Sequence, residues 1–128
     1  MTLSAGTLAI SQDANLGTAN ETLTFKSGML RLVGAVTPHR AIVLNAGGGI
    51  NINGNAMTAS GTLDGIGGLT KSGTRTLTLP AANGYSGGTV VTGAFSDANN
   101  FGSGLITLNG GVLTKSGDGT LVLTGTNN

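Results

Sequence analysis

The most constraining feature of this chain is that it repeats itself. Leu69-Thr70-Lys71-Ser72-Gly73-Thr74-Arg75-Thr76-Leu77-Thr78-Leu79 returns further along the chain as Leu113-Thr114-Lys115-Ser116-Gly117-Asp118-Gly119-Thr120-Leu121-Val122-Leu123, with Asn83 and Asn127 in the same relation. A second repeat matches Asn15-Leu16-Gly17 to Asn100-Phe101-Gly102, and Leu23-Thr24-Phe25-Lys26-Ser27-Gly28-Met29-Leu30 to Ile106-Thr107-Leu108-Asn109-Gly110-Gly111-Val112-Leu113. A unit that recurs along a chain is one that cannot bury its own apolar face and must stack on its neighbours.

The stacked unit is made of strands. Apolar residues alternate with polar ones in short runs such as Leu8-Ala9-Ile10, Leu30-Arg31-Leu32, Ile50-Asn51-Ile52 and Leu77-Thr78-Leu79, a period of two. Between the runs stand glycine clusters, among them Gly47-Gly48-Gly49, Gly65-Ile66-Gly67-Gly68 and Gly87-Gly88, which supply tight corners. No stretch free of glycine carries a helical stripe, so no long helix is expected. These observations predict an all-β parallel β-solenoid of about six coils at roughly 20 residues each, with Leu, Ile and Val stacked inward and Thr, Asn and Ser outward. Leu77 and Leu121 occupy matched inward positions in this scheme, and Lys71 and Lys115 are expected to be solvated. A β-sandwich is the competing fold, but it calls for aromatic anchors, and the only aromatics are Phe25, Phe95, Phe101 and Tyr85.

The segment Ile42 to Val91 resembles the autotransporter-associated β-strand repeat of bacterial autotransporter passenger domains. The resemblance rests on Ile42-Val43-Leu44, Gly48-Gly49-Ile50-Asn51-Ile52, Ser60-Gly61-Thr62-Leu63, Gly65-Ile66-Gly67-Gly68-Leu69-Thr70-Lys71-Ser72-Gly73, Thr76-Leu77-Thr78-Leu79 and Asn83-Gly84-Tyr85-Ser86-Gly87-Gly88-Thr89. The chain departs from that pattern at Thr74-Arg75 and at Pro80, which lacks a ladder donor. Residues 113–128 resemble the start of a second core, and Ser4-Ala5-Gly6-Thr7-Leu8 the segment that follows one. Residues 1–128 are therefore expected to form a single β-helical piece of a longer passenger, with terminal coils that fray or associate end to end. The resemblance implies a right-handed parallel β-helix exported across the outer membrane to the bacterial cell surface. Its implied role is a stalk that holds other parts of an adhesin away from the cell, with adjacent repeats of the same protein as partners. The alternative is that the segment itself adheres to host matrix or glycan.

The side-chain inventory assigns no catalytic, metal or cofactor-binding residue. His39 is the single histidine and there is no cysteine, so a Cys/His pair or a thiolate zinc site is impossible, and a Ser/His/Asp set would have to use His39 in a turn. Asp13, Glu21, Asp64, Asp97 and Asp118 lie far apart, although stacking can align residues of different coils, as in β-helices that cleave polysaccharides. Gly117-Asp118-Gly119 is similar to a calcium-binding nonapeptide, but Thr74-Arg75 stands at the equivalent place in the repeat. Thr22-Leu23-Thr24 and Thr76-Leu77-Thr78 have the spacing of ice-facing threonine ranks, yet are isolated. With charged residues at 9% and a net charge of +1, nothing suggests a nucleic-acid surface.

Overall fold

The computed structural model describes residues 1–92 and the strand backbones at 95–97, 106–108 and 113–115. Three parallel sheets run along one axis. Sheet I holds β1 (Thr2–Leu3), β3 (Leu23–Phe25), β5 (Ile42–Leu44) and β8 (Leu63–Asp64). Sheet II holds β2 (Thr7–Ile10), β4 (Met29–Leu32), β6 (Gly48–Asn51), β9 (Leu69–Ser72), β11 (Thr89–Val91) and β13 (Ile106–Leu108). Sheet III holds β7 (Met57–Thr58), β10 (Leu77–Leu79), β12 (Phe95–Asp97) and β14 (Leu113–Lys115). The chain visits the sheets in the order I, II, III and then steps up one coil, giving a right-handed parallel β-helix of about five turns.

Not every side of every coil is a strand. The third side of the first coil is a 3-10 turn, Asp13–Leu16, the only helical element among the described residues. In the second coil that side is reduced to Val36, bridged to Met57. The fifth coil has no strand on sheet I. There Gly84 N donates to Leu63 O at 2.8 Å and Ser86 N to Gly65 O at 2.9 Å, so the segment still docks on β8.

Strand parity builds the core. Register places Leu23, Ile42 and Leu63 in one inward column and Leu3, Phe25 and Leu44 in another, all buried. Leu30 and Ile50 stack in the same way on sheet II, and Leu77 is fully buried on sheet III. The expectation of an inward Leu77 is met, while Leu121 lies outside the described residues. Aromatics take part after all: Phe25 and Tyr85 are both buried. Gly48 faces inward beside Phe25, and a Cβ there would stand 2.6 Å from the ring's Cγ, so the glycine is what leaves room for the ring. Pro80 follows directly after β10, at the end of the strand.

Two findings correct the sequence reading. Lys71 is not solvated: it shares parity with Leu69, its register partners are Ile50 and Val91, and it is completely buried. An outward Thr70 and inward neighbours on either side leave the lysine no other direction. Lys115 pairs with Asp97 along the backbone, and its side chain lies outside the described residues. The sequence repeats, moreover, do not map coil onto coil. Leu69 is on sheet II whereas Leu113 is on sheet III, and Leu23 is on sheet I whereas Ile106 is on sheet II. The offset arises because the 44 residues from Leu69 to Leu113 exceed the two coils from Leu69 through Thr89 to Ile106, which take 37, so the repeated sequence reaches the next sheet.

Candidate interaction surface

Beneath the outer surface, three long side chains tie neighbouring coils together. Arg40, between the second and third coils, reaches back to the first. Its Nε and Nη2 donate to Asp13 Oδ1 and Oδ2 at 2.8 and 2.9 Å, and its remaining N–H groups reach the carbonyls of Asp13, Leu16, Gly17 and Glu21 at 3.0–3.3 Å. The Asp13 hydrogen bonds raise the guanidinium pKa further, so Arg40 keeps its charge. Asn83 Oδ1 accepts from Leu63 N at 3.0 Å, which completes a ladder bond between the fourth and fifth coils with a side chain. Lys71 Nζ donates to Gly73 O in its own coil and to Thr92 O in the next, at 2.5 and 3.0 Å. Burial lowers its pKa, because the charged form loses hydration.

Tyr85 sits inside, where its hydroxyl and that of Thr89 hydrogen-bond at 2.6 Å. It is the tyrosine of the Asn83-Gly84-Tyr85-Ser86-Gly87-Gly88-Thr89 motif, and its position makes it core, not a stacking platform for sugar. His39 is exposed, and its Nδ1 is 2.5 Å from Ser60 Oγ one coil away. Among the described residues no carboxylate hydrogen-bonds to His39, so the pair lacks the third member that would orient a general base. Asp13 is engaged by Arg40, Asp64 is exposed on sheet I, Glu21 is exposed between sheets III and I, and Asp97 is described only as backbone. Asp118 lies outside the described residues, and among the described ones no three potential metal ligands gather. Thr24 and Thr78 lie on different sheets, so the two Thr-x-Thr runs do not make one rank.

The outer side of sheet II and its corner with sheet I form an open trough of about 710 Å³. Gly28, Gly48, Gly68 and Gly88 floor it, one per coil, with Met29, Thr70 and Val90 along it and Lys26 at one end. Its backbone groups are already used between coils, for example Gly48 N to Gly68 O at 3.0 Å and Leu69 N to Gly88 O at 2.9 Å. Contact there would therefore rest on side chains and shape. On the same corner Ile66 is 80% exposed. In the sequence the trough is visible only as glycines recurring once per coil, a signal that tight corners already explain.

Residues 69–94 and 113–128 match the passenger-associated-transport-repeat family. Among curated proteins the chain is similar to the adhesin BmaC autotransporter of Brucella suis biovar 1 (strain 1330), with 38% identity over 103 residues. The match covers 70% of this chain and 3% of that protein. No solved structure matches the chain.

Proposed function

The chain is a repeat-bearing segment of an autotransporter passenger, and from that premise we propose that it serves as a non-catalytic stalk, exposed at the bacterial surface, that spaces other parts of the passenger. The observation that carries this reading is the continuity of the inward columns from Leu3 through Val91, tied from coil to coil by Arg40, Lys71 and Asn83. Side chains that bond to the coil above or below stiffen the axis, and a stiff rod is what a spacer requires. Adjacent repeats of the same protein are then its partners. The chain spans only 3% of the relative it matches, so what the whole passenger does lies in this proposal.

A second reading, direct adhesion by this segment, is favoured by the trough over Gly28, Gly48 and Gly68 and by the exposed Ile66 beside it. One experiment separates the two. In the full passenger, the segment is replaced by a β-helical spacer of equal length, and attachment of cells to host matrix is scored. Retained attachment supports the stalk, and its loss, together with binding by the isolated segment, supports adhesion.

A further inference from the structure

Two Asn-Gly dipeptides among the described residues stand in opposite surroundings. Asn53 and Gly54 are the central residues of the exposed turn between β6 and β7, with φ of 47° and 79°. Two positive φ angles in succession, closed by a 2.9 Å bond from Asn55 N to Ile52 O, make a tight turn of the primed kind. Asn51 Oδ1 accepts from Asn53 N at 2.9 Å, and Asn55 Nδ2 donates to Asn53 O at 3.3 Å. Among the described residues nothing bonds to the Asn53 carboxamide or to Gly54 N, and the space beside Gly54 where a Cβ would stand is open. Asn83 and Gly84 are the opposite case. Asn83 is 1% exposed, its Oδ1 accepts from Leu63 N at 3.0 Å and its Nδ2 donates to Ala81 O at 2.9 Å, while Gly84 N donates to Leu63 O at 2.8 Å. The third such pair, Asn109-Gly110, lies outside the described residues.

An asparagine followed by glycine can close on itself, because no side chain hinders the approach of the next backbone nitrogen. Gly54 N bonds to Asn53 Cγ, and the C–N bond of the carboxamide breaks. The departing nitrogen takes the proton that Gly54 N loses and leaves as ammonia, so a five-membered succinimide remains. Water then adds to either ring carbonyl, opening the ring to an aspartate or to an isoaspartate whose backbone runs through the side-chain carbon. Ring closure needs ψ of Asn53 to swing until Gly54 N faces Cγ. At Asn53 that swing strains only bonds within one exposed turn, and water is at hand to replace them. At Asn83 it would break three bonds, two of them between coils, and leave buried polar groups unpaired. We infer that Asn53-Gly54 is a self-modification site that converts to aspartate and isoaspartate with water as the only co-reactant, and that burial between coils keeps Asn83-Gly84 as the amide. Each conversion at Asn53 replaces a neutral carboxamide by a carboxylate, lowering the formal net charge of +1 to zero.

Peptide mapping by mass spectrometry tests this. The folded chain is held at mildly alkaline pH and body temperature, and a parallel sample is held unfolded in guanidinium chloride. In the folded chain the mass gain of amide-to-acid exchange should collect at Asn53 at least about ten times faster than at Asn83, and the peptide carrying it should split into two isomers on chromatography. In the unfolded chain the two sites should convert at similar rates, since only the fold distinguishes them. Asn53→Gln, which would have to close a larger ring, should all but abolish the gain at that position and leave the rate at Asn83 unchanged. The inference is overturned if Asn53 in the folded chain stays intact over the time in which unfolded Asn83 converts, or if the two sites keep pace in the folded chain. Should the Gln variant disturb the turn, the ratio of the two sites within the parent protein still decides.

Discussion

Arg40 grips Asp13 with two parallel hydrogen bonds of 2.8 and 2.9 Å, and in doing so fastens the 3-10 turn of the first coil to the corner that opens the third. The guanidinium is shielded completely, whereas the carboxylate is 22% exposed. Asp13→Ala would therefore leave a buried cation with carbonyl partners only. It should cost about 2 to 4 kcal/mol in urea unfolding, given the usual penalty for orphaning one member of a buried pair. Glu21→Ala is the control, because Arg40 hydrogen-bonds to the Glu21 backbone and not to its carboxylate, and it should cost within about 0.5 kcal/mol. Equal losses would show that the pair contributes no more than a surface charge.

Lys71 gives a pH dependence whose sign follows from burial. The folded state lowers the pKa below 10.5, so between that lowered value and 10.5 the unfolded chain binds more protons than the folded one. The charge penalty is present in full below that window and disappears as pH rises through it. The denaturation midpoint of the native protein should accordingly rise relative to that of Lys71→Met as pH passes up through the alkaline range. Taking the difference between the two proteins removes whatever else they share. A difference that is flat, or that falls, would contradict the account.

At neutral pH Lys71→Met should be neutral or stabilising, since a buried charge is exchanged for an apolar side chain of similar length. Lys71→Ala should lose about 2 to 4 kcal/mol, because it also opens a cavity between Ile50 and Val91. Denaturant titration of both variants reads the ordering.

Leu77 and Thr70 test the inside and outside of the coil. Leu77 is fully buried and Thr70 exposed, so Leu77→Ala should cost about 2 to 5 kcal/mol and Thr70→Ala within about 0.5 kcal/mol. Similar melting temperatures for the two would place the core elsewhere.

Gly48→Ala should cost about 1 to 3 kcal/mol, the usual range for overpacking, because the new methyl meets the Phe25 ring at 2.6 Å. Phe25→Leu in the same chain should recover part of that loss, so the two changes together should destabilise less than the sum of the two alone. Strict additivity, measured by a double-mutant cycle, would mean that the glycine is needed for some reason other than the ring.

Much of this fold is legible without coordinates. Period two in Leu77-Thr78-Leu79 and glycines recurring once per coil point to strands and corners, and the self-similarity of Leu69–Leu79 and Leu113–Leu123 points to stacking. The burial of Lys71 is legible too, by parity with Leu69, but the general tendency of charge to lie outside argues against the alternation at that one position. Arg40 carries no such signal. Its partner Asp13 lies in an earlier coil, and nothing local in Pro38-His39-Arg40 announces it.

By itself the sequence determined the kind of object: short alternating strands, glycine corners and a repeated unit admit few folds other than a parallel coil, because each unit exposes an apolar edge that only another unit can cover. Only the tertiary structure decided the stacking partners. Which residue stands over Lys71, which carbonyl Arg40 reaches and which sheet Leu113 joins all depend on the length of each intervening coil, and on sheet II those lengths differ from one coil to the next. Period two is a local property of a strand, set by its own backbone. Register between coils is a sum over corners whose conformations settle only once the coils are packed.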